Sequence, residues 1–298
     1  MCKWRHDSAR MNPAMLLKSI NYWSYPGGLE GAMPITEFFA HAKAHGFEAV
    51  EVCIGGAGDL TPATTEADCQ RILQQAADAG VKIASVASGL YWGNALGNAD
   101  AGSRQQAREE LTAMVQITGW LGARTLLTIP GAVDVFFLPD RAAQPYDEVL
   151  NYAREGLKAV APTAEACGVR MGIENVWNKF LLSPAEMRSF IQSVESPAVG
   201  AYVDVANLMP FGHPQDWLRT LGPLVVGIHF KDFRRAVGTI DGFVDLLEGD
   251  VPWPDVMQAI ADIGYEGPVV AEMIPYYAHY PLVRCANASR AMDAILGR

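Results

Sequence analysis

The stretch from Val199 to Phe233, VGAYVDVANLMPFGHPQDWLRTLGPLVVGIHFKDF, decides how this chain is read. Two short apolar runs in it, Val199 to Val205 and Leu224 to Phe230, have the length and β-branched content of strands buried on both faces. Each ends in polar residues that packing alone would not select: Asp204 on the first, and His229 followed by Lys231 and Asp232 on the second. Between them, Pro214 to Leu221 predicts a helix, with proline at its first position and Gly222-Pro223 at its close. Strand, helix, strand is the unit of a parallel sheet. In barrels built from that unit, the carboxyl ends of the strands hold the active site.

The same alternation extends in both directions. Upstream strands are expected at Leu16 to Asn21, Glu48 to Ile54, Val81 to Ala87, Arg124 to Ile129 and Val169 to Glu174, and an eighth at Pro268 to Met273. Helices are expected from Pro34 to Gly46, Thr65 to Ala79, Ser103 to Leu121, Tyr146 to Cys167 with an irregularity at Pro162, from Ser183, from Trp253 to Ile263, and over Ala286 to Leu296. Arg234 to Val251 is left as a long connection. Eight strands alternating with helices, with no composition break, predict an α/β chain folded as a single (β/α)8 barrel over residues 1–298. Residues 1–14 read as a loose N-terminal extension.

At 298 residues the length fits one such barrel, and with 50% hydrophobic residues a large core can be filled. The net charge of -10 argues against a nucleic-acid partner, which needs clustered Lys and Arg, and favours a small-molecule site. Five scattered cysteines without paired spacing read as reduced thiols, hence a cytoplasmic protein. No run has the length of a membrane span, so no membrane partner is expected. The loop GGAGDL after the second strand lacks the dinucleotide spacing, and no helix opens on it.

The polar residues at the ends of the last four strands are Glu174, Asp204, His229 and Glu272. Closing a barrel brings such ends toward one axis. Singly, each acid has an ordinary reading as a cap or an ion pair, and His229 as a hydrogen-bonded core histidine. Four on consecutive strands point instead to one site. Three carboxylates and an imidazole suit Mn²⁺ first, with Mg²⁺, Co²⁺ or Zn²⁺ as alternatives.

On these residues the chain resembles a known family. The segments GIEN at 172 to 175, YVDVANL at 202 to 208, GIHFKD at 227 to 232 and VVAEM at 269 to 273 are similar to the four metal-ligand segments of the sugar phosphate isomerases/epimerases, the xylose-isomerase-like barrels. The resemblance spans nearly the whole chain and is closest to the pentulose-phosphate branch. It implies a divalent ion, often manganese, on Glu174, Asp204, His229 and Glu272, with Glu174 and Glu272 doubling as acid and base, and assembly into dimers or tetramers. One departure is that free-ketose epimerases carry a substrate-binding His where Asn207 stands here. Arg235 falls where those enzymes keep a substrate-binding Arg.

The chemistry expected of this set is epimerisation or isomerisation of a ketose or ketose phosphate. A metal bridging the carbonyl oxygen and the adjacent hydroxyl stabilises a cis-enediolate, while one carboxylate removes a proton and a second returns one on the opposite face. The same deprotonation followed by loss of a substituent would make a lyase or dehydratase of a keto-sugar, keto-inositol or oxidised glycoside. A barrel that only binds sugar is a further alternative. Lys231 raises a Schiff-base rival, against which the nearby acids stand. Substrate contacts are expected from Asn207, Lys231, Arg235, Trp177, Trp92 and Tyr22. His41 and His45, one helical turn apart, are placed on the solvent face.

Overall fold

A computed structural model describes residues 16–298, so the extension expected over residues 1–14 lies outside the described residues. Eight parallel strands close a barrel in chain order: β1 (Leu16–Asn21), β2 (Ala49–Ile54), β3 (Lys82–Ser88), β4 (Thr125–Thr128), β5 (Arg170–Glu174), β6 (Val199–Asp204), β7 (Val225–Phe230) and β8 (Gly267–Ala271), with β8 paired to β1. Around it lie α1 (Ile35–Ala44), α2 (Glu66–Ala79), α3 (Ala101–Trp120), α4 (Tyr146–Cys167), α5 (Pro184–Val194), α6 (Pro214–Leu221), α7 (Trp253–Asp262) and α8 (Pro281–Leu296). The expected (β/α)8 barrel is therefore the fold.

Local chemistry sets the element ends. Thr65 and Asp68 form a reciprocal capping box at the start of α2, and Ser183 caps α5 ahead of Pro184. Helix α8 opens at Pro281, upstream of the expected Ala286, because a first-turn proline forfeits no hydrogen bond there. Helix α4 runs through Pro162 without a break.

Inside the barrel, alternate residues share a face. That places Gly172 below Glu174, Tyr202 below Asp204, and Gly227 below His229. The two glycines make room for the fully buried Tyr202 ring: a Cβ on Gly227 would lie 2.4 Å from Tyr202 Cε2, and one on Gly172 3.2 Å from Cδ2. The Tyr202 ring meets His229 edge-on at 4.7 Å and supports it from beneath.

The connection after β7 is more ordered than its sequence suggests. Asp232–Phe233 pairs antiparallel with Phe243–Val244. The buried Asp232 carboxylate accepts from the backbone N–H groups of Phe233, Leu247 and Val251 and from Trp253 Nε1, at 2.9 to 3.1 Å. His41 and His45 are not simply solvated: both rings stack on Tyr25, whose hydroxyl lies 3.0 Å from His45 Nδ1. Among the described residues, no helix is long and apolar enough to cross a membrane.

Gly227→Ala should lower unfolding free energy by about 1–3 kcal/mol, since Tyr202 is walled in and cannot yield. Denaturant titration measures this. A variant as stable as the parent would mean that the ring does not need the space.

Candidate metal centre and active site

Glu174 and Asp204 are the last residues of β5 and β6, His229 is the penultimate residue of β7, and Glu272 follows the end of β8. One ligand atom from each lies within 4.8 Å of all the others. His229 Nδ1 is 3.4 Å from Glu174 Oε1, 3.7 Å from Glu272 Oε2 and 4.0 Å from Asp204 Oδ2. His229 Nδ1 and Asp204 Oδ2 are buried yet make no hydrogen bond, although the Lys231 ammonium stands 3.3 Å from that oxygen. A buried nitrogen with no hydrogen bond, and a buried oxygen answered by one ammonium alone, converging with two further carboxylates, are what a cation would satisfy.

The surroundings fix these two atoms. Asp204 Oδ1 accepts from the backbone N–H groups of Ala206 and Asn207, leaving Oδ2 for the centre. Asn175 accepts from the Asp204 N–H and donates to the Asp204 carbonyl, which ties β6 to the end of β5.

Glu51 on β2, which sequence reasoning missed, holds His229. Its Oε1 lies 2.8 Å from His229 Nε2 and accepts from Asn21, while its Oε2 accepts from Ser85 and Tyr202. With Nε2 donating to this carboxylate, Nδ1 is left as the lone-pair atom that faces the other acids. The available signal was an acid in the apolar run EAVEVCI, the same anomaly that marked the other strands.

Charge is concentrated here. Burial works to raise the Glu51 carboxyl, but His229 and its hydrogen bonds outweigh this and hold it below the usual range. Burial pushes Glu174 up to about 7, opposed by His229 and reinforced by Glu272 and Asp204. Glu272 is buried as well, yet Lys231 and His229 bring it below its ordinary value. Burial alone would lower Lys231, and the Asp204 and Glu272 carboxylates raise it instead. The two carboxylates beside Lys231 favour its ammonium form, which has no lone pair with which to form a Schiff base, and so stand against aldolase chemistry.

A cavity of about 490 Å³ opens above these residues. Of the expected substrate contacts, Tyr22, Trp92, Trp177, Asn207 and Lys231 line it. Tyr22 donates to the Met33 carbonyl, Trp177 Nε1 to the Asn207 carbonyl, and Asn207 Nδ2 to the Asn175 carbonyl. Arg235 must be corrected. It is exposed, outside the cavity lining, with its guanidinium 3.3 Å from His213 Nδ1 and its backbone N–H on Asp250. The ribbon after β7 carries the chain away from the path that the spacing assumed.

A family model described as xylose isomerase-like TIM barrel matches residues 39–293. SgbU of Escherichia coli K12, provisionally named an L-ribulose-5-phosphate 3-epimerase, is 26% identical over 260 residues, covering 85% of this chain and 88% of its own. D-Psicose 3-epimerase of Agrobacterium fabrum C58 is 32% identical over 155 residues, 49% of each chain. A crystal structure of a D-psicose 3-epimerase in the presence of D-fructose matches with a TM-score of 0.76 at 18% identity, covering 95% of this chain and all of that one, a likeness of fold.

Glu51→Gln should leave His229 poorly oriented and weaken binding of Mn²⁺ to the metal-stripped protein by about ten- to a hundredfold. Isothermal titration measures this directly. Unchanged affinity would show that the Glu51–His229 contact does not prepare the site.

Proposed function

The chain belongs to the xylose isomerase-like TIM barrel family, and from that premise we propose that it is a divalent-metal-dependent epimerase or isomerase of a ketose-type sugar. The observation that carries this reading is the convergence of four buried ligand atoms, from Glu174, Asp204, His229 and Glu272, within 4.8 Å of one another, with His229 Nδ1 making no hydrogen bond. The names of the sugar epimerases among its relatives support it.

Glu174, Asp204, His229 and Glu272 would hold the ion. Its oxygen-rich ligand set with one imidazole suits Mn²⁺. When bound, the ion supplies positive charge beside the ketone oxygen and the neighbouring hydroxyl, which lowers the cost of removing the intervening proton.

The protein's own groups supply the rest. Glu174 and Glu272 come from strands separated by β6 and β7, so their carboxylates approach a sugar in the cavity from different sides. One takes the proton from the carbon beside the ketone, and the other returns one on the opposite face through the enediolate. Lys231 Nζ, 2.8 Å from Glu272 Oε2, holds that carboxylate in place. Asn207 offers its side chain to a hydroxyl. The aromatic walls exclude water while the carbanion character lasts.

In D₂O with Mn²⁺ and a panel containing D-fructose, L-ribulose 5-phosphate and 3-keto-D-glucose, a substrate should gain deuterium beside its ketone with its skeleton intact. Glu174→Gln and Glu272→Gln should each lower formation of the epimer by about 10²–10⁴-fold. Exchange that survives a chelator, or epimer formation that survives either substitution, would overturn the proposal.

A further inference from the structure

The cavity is divided by chemistry along its depth. At the floor stand Glu174, Glu272, Lys231 and Asn207. Toward solvent the wall is a run of aromatic rings in contact: Trp92 with Phe137 at 5.0 Å, Phe137 with Phe136 at 5.2 Å, Phe136 with Trp177 at 6.2 Å, and Trp177 with Phe243 at 5.3 Å. Leu29, Phe136, Phe137 and Ile240 complete the lining there, and each is about half exposed, at 52%, 51%, 45% and 48%. Large apolar side chains gathered at that exposure around one opening mark a binding surface.

Cationic groups are scarce in the cavity. Lys231 is the one cation among the described residues that line it, and its ammonium is already shared between Glu272 at 2.8 Å and Asp204 at 3.3 Å. The charged lining residues away from the floor, Glu30 and Asp59, are acids, and Asp59 accepts from the Ile35 N–H at the start of α1. Arg141, whose Nη2 makes no hydrogen bond, lines a separate hollow that shares Trp92 and Phe137 with the cavity and contains Asp140. A phosphate dianion in the cavity would thus meet, among the described residues, two carboxylates and an ammonium already engaged by two others. The outer hydroxyls of a bare ketose would find acceptors at Glu30 and Asp59, but the phenylalanine rings of the rim offer them no partner.

Resting on the epimerase reading, we propose that the substrate is an uncharged keto-sugar bearing an apolar, preferably aromatic, substituent at the end remote from the ketone, as in an aryl keto-glycoside. The keto-diol end lies over the carboxylates, and the substituent stacks in the aromatic run. A volume of about 490 Å³ is within the range that accommodates a ligand of that size.

The test separates binding from turnover. Titration calorimetry on the Mn²⁺-loaded protein compares phenyl 3-keto-β-D-glucopyranoside, D-fructose and L-ribulose 5-phosphate. The phenyl compound should bind at least about tenfold more tightly than either of the others. Phe136→Ser with Phe137→Ser should pull its ratio to D-fructose down toward one. Tightest binding of the phosphate, or a phenyl compound no better than D-fructose, overturns the proposal. So does a double variant that keeps the ratio but changes sedimentation, since the rings would then belong to an interface between copies of the chain. Deuterium exchange with the same probes is read separately: its absence with every compound defeats the epimerase reading, while the binding ratio alone decides whether the rim takes an apolar substituent.

Discussion

Like charges forced together without water are the constraint to which the rest of this structure answers. Glu51, Glu174, Asp204 and Glu272 crowd around one imidazole and one ammonium, all of them buried. Carboxylates in such a place lose hydration and repel one another, so each needs specific compensation. Glu51 has it in full, with donors from β1, β3, β6 and β7. Asp204 has it on one oxygen only. What remains is His229 Nδ1 without a hydrogen bond, facing an Asp204 oxygen that is answered by the Lys231 ammonium alone, and that residue of demand marks the candidate site.

Much of this was legible in the sequence, for a physical reason. A strand covered on both faces gains nothing by ending in an acid, so Glu174, Asp204 and Glu272 stand out against their apolar runs, and the alternation of runs with helices gives the closed order that gathers them. Glu51 carries the same anomaly but lies within its strand. Whether such a side chain faces the axis or the helices depends on register, and its partners come from four other strands, none predictable from local pattern. Asp232 was hidden by its neighbour. Successive residues point to opposite sides, so Lys231 enters the cavity while Asp232 turns away to organise the following loop. Arg235 failed for a related reason: sequence spacing from His229 carries geometry only while the backbone keeps its course, and the hydrogen bond from the Arg234 N–H to the Gly242 carbonyl bends it elsewhere.

The aromatic wall illustrates a different limit. Its members follow β3, β4, β5 and β7, and each alone is an ordinary half-buried loop residue. Only the closed barrel, with its strand ends at one level, makes them neighbours. The floor can be inferred from chemistry because acids in strands are anomalous, whereas rings in loops such as Trp92 and Trp177 can be named as candidates but are common enough that only contact distances show which of them adjoin.

Floor and rim are nevertheless one mechanical unit, joined at Lys231. Its ammonium pairs with Glu272 and Asp204 below and lies 4.5 Å from the centre of the Phe243 ring above, a cation–π distance. Phe243 belongs to the short ribbon with Asp232–Phe233, and that ribbon is held by the four donors gathered on the Asp232 carboxylate. Lys231 therefore links that loop by direct contact to the carboxylates of Glu272 and Asp204. Strands fix where the four candidate ligands stand, while the loop after β7 packs against the ammonium that pairs with two of them, so the Phe243 ring and the charge at Glu272 are coupled by contact.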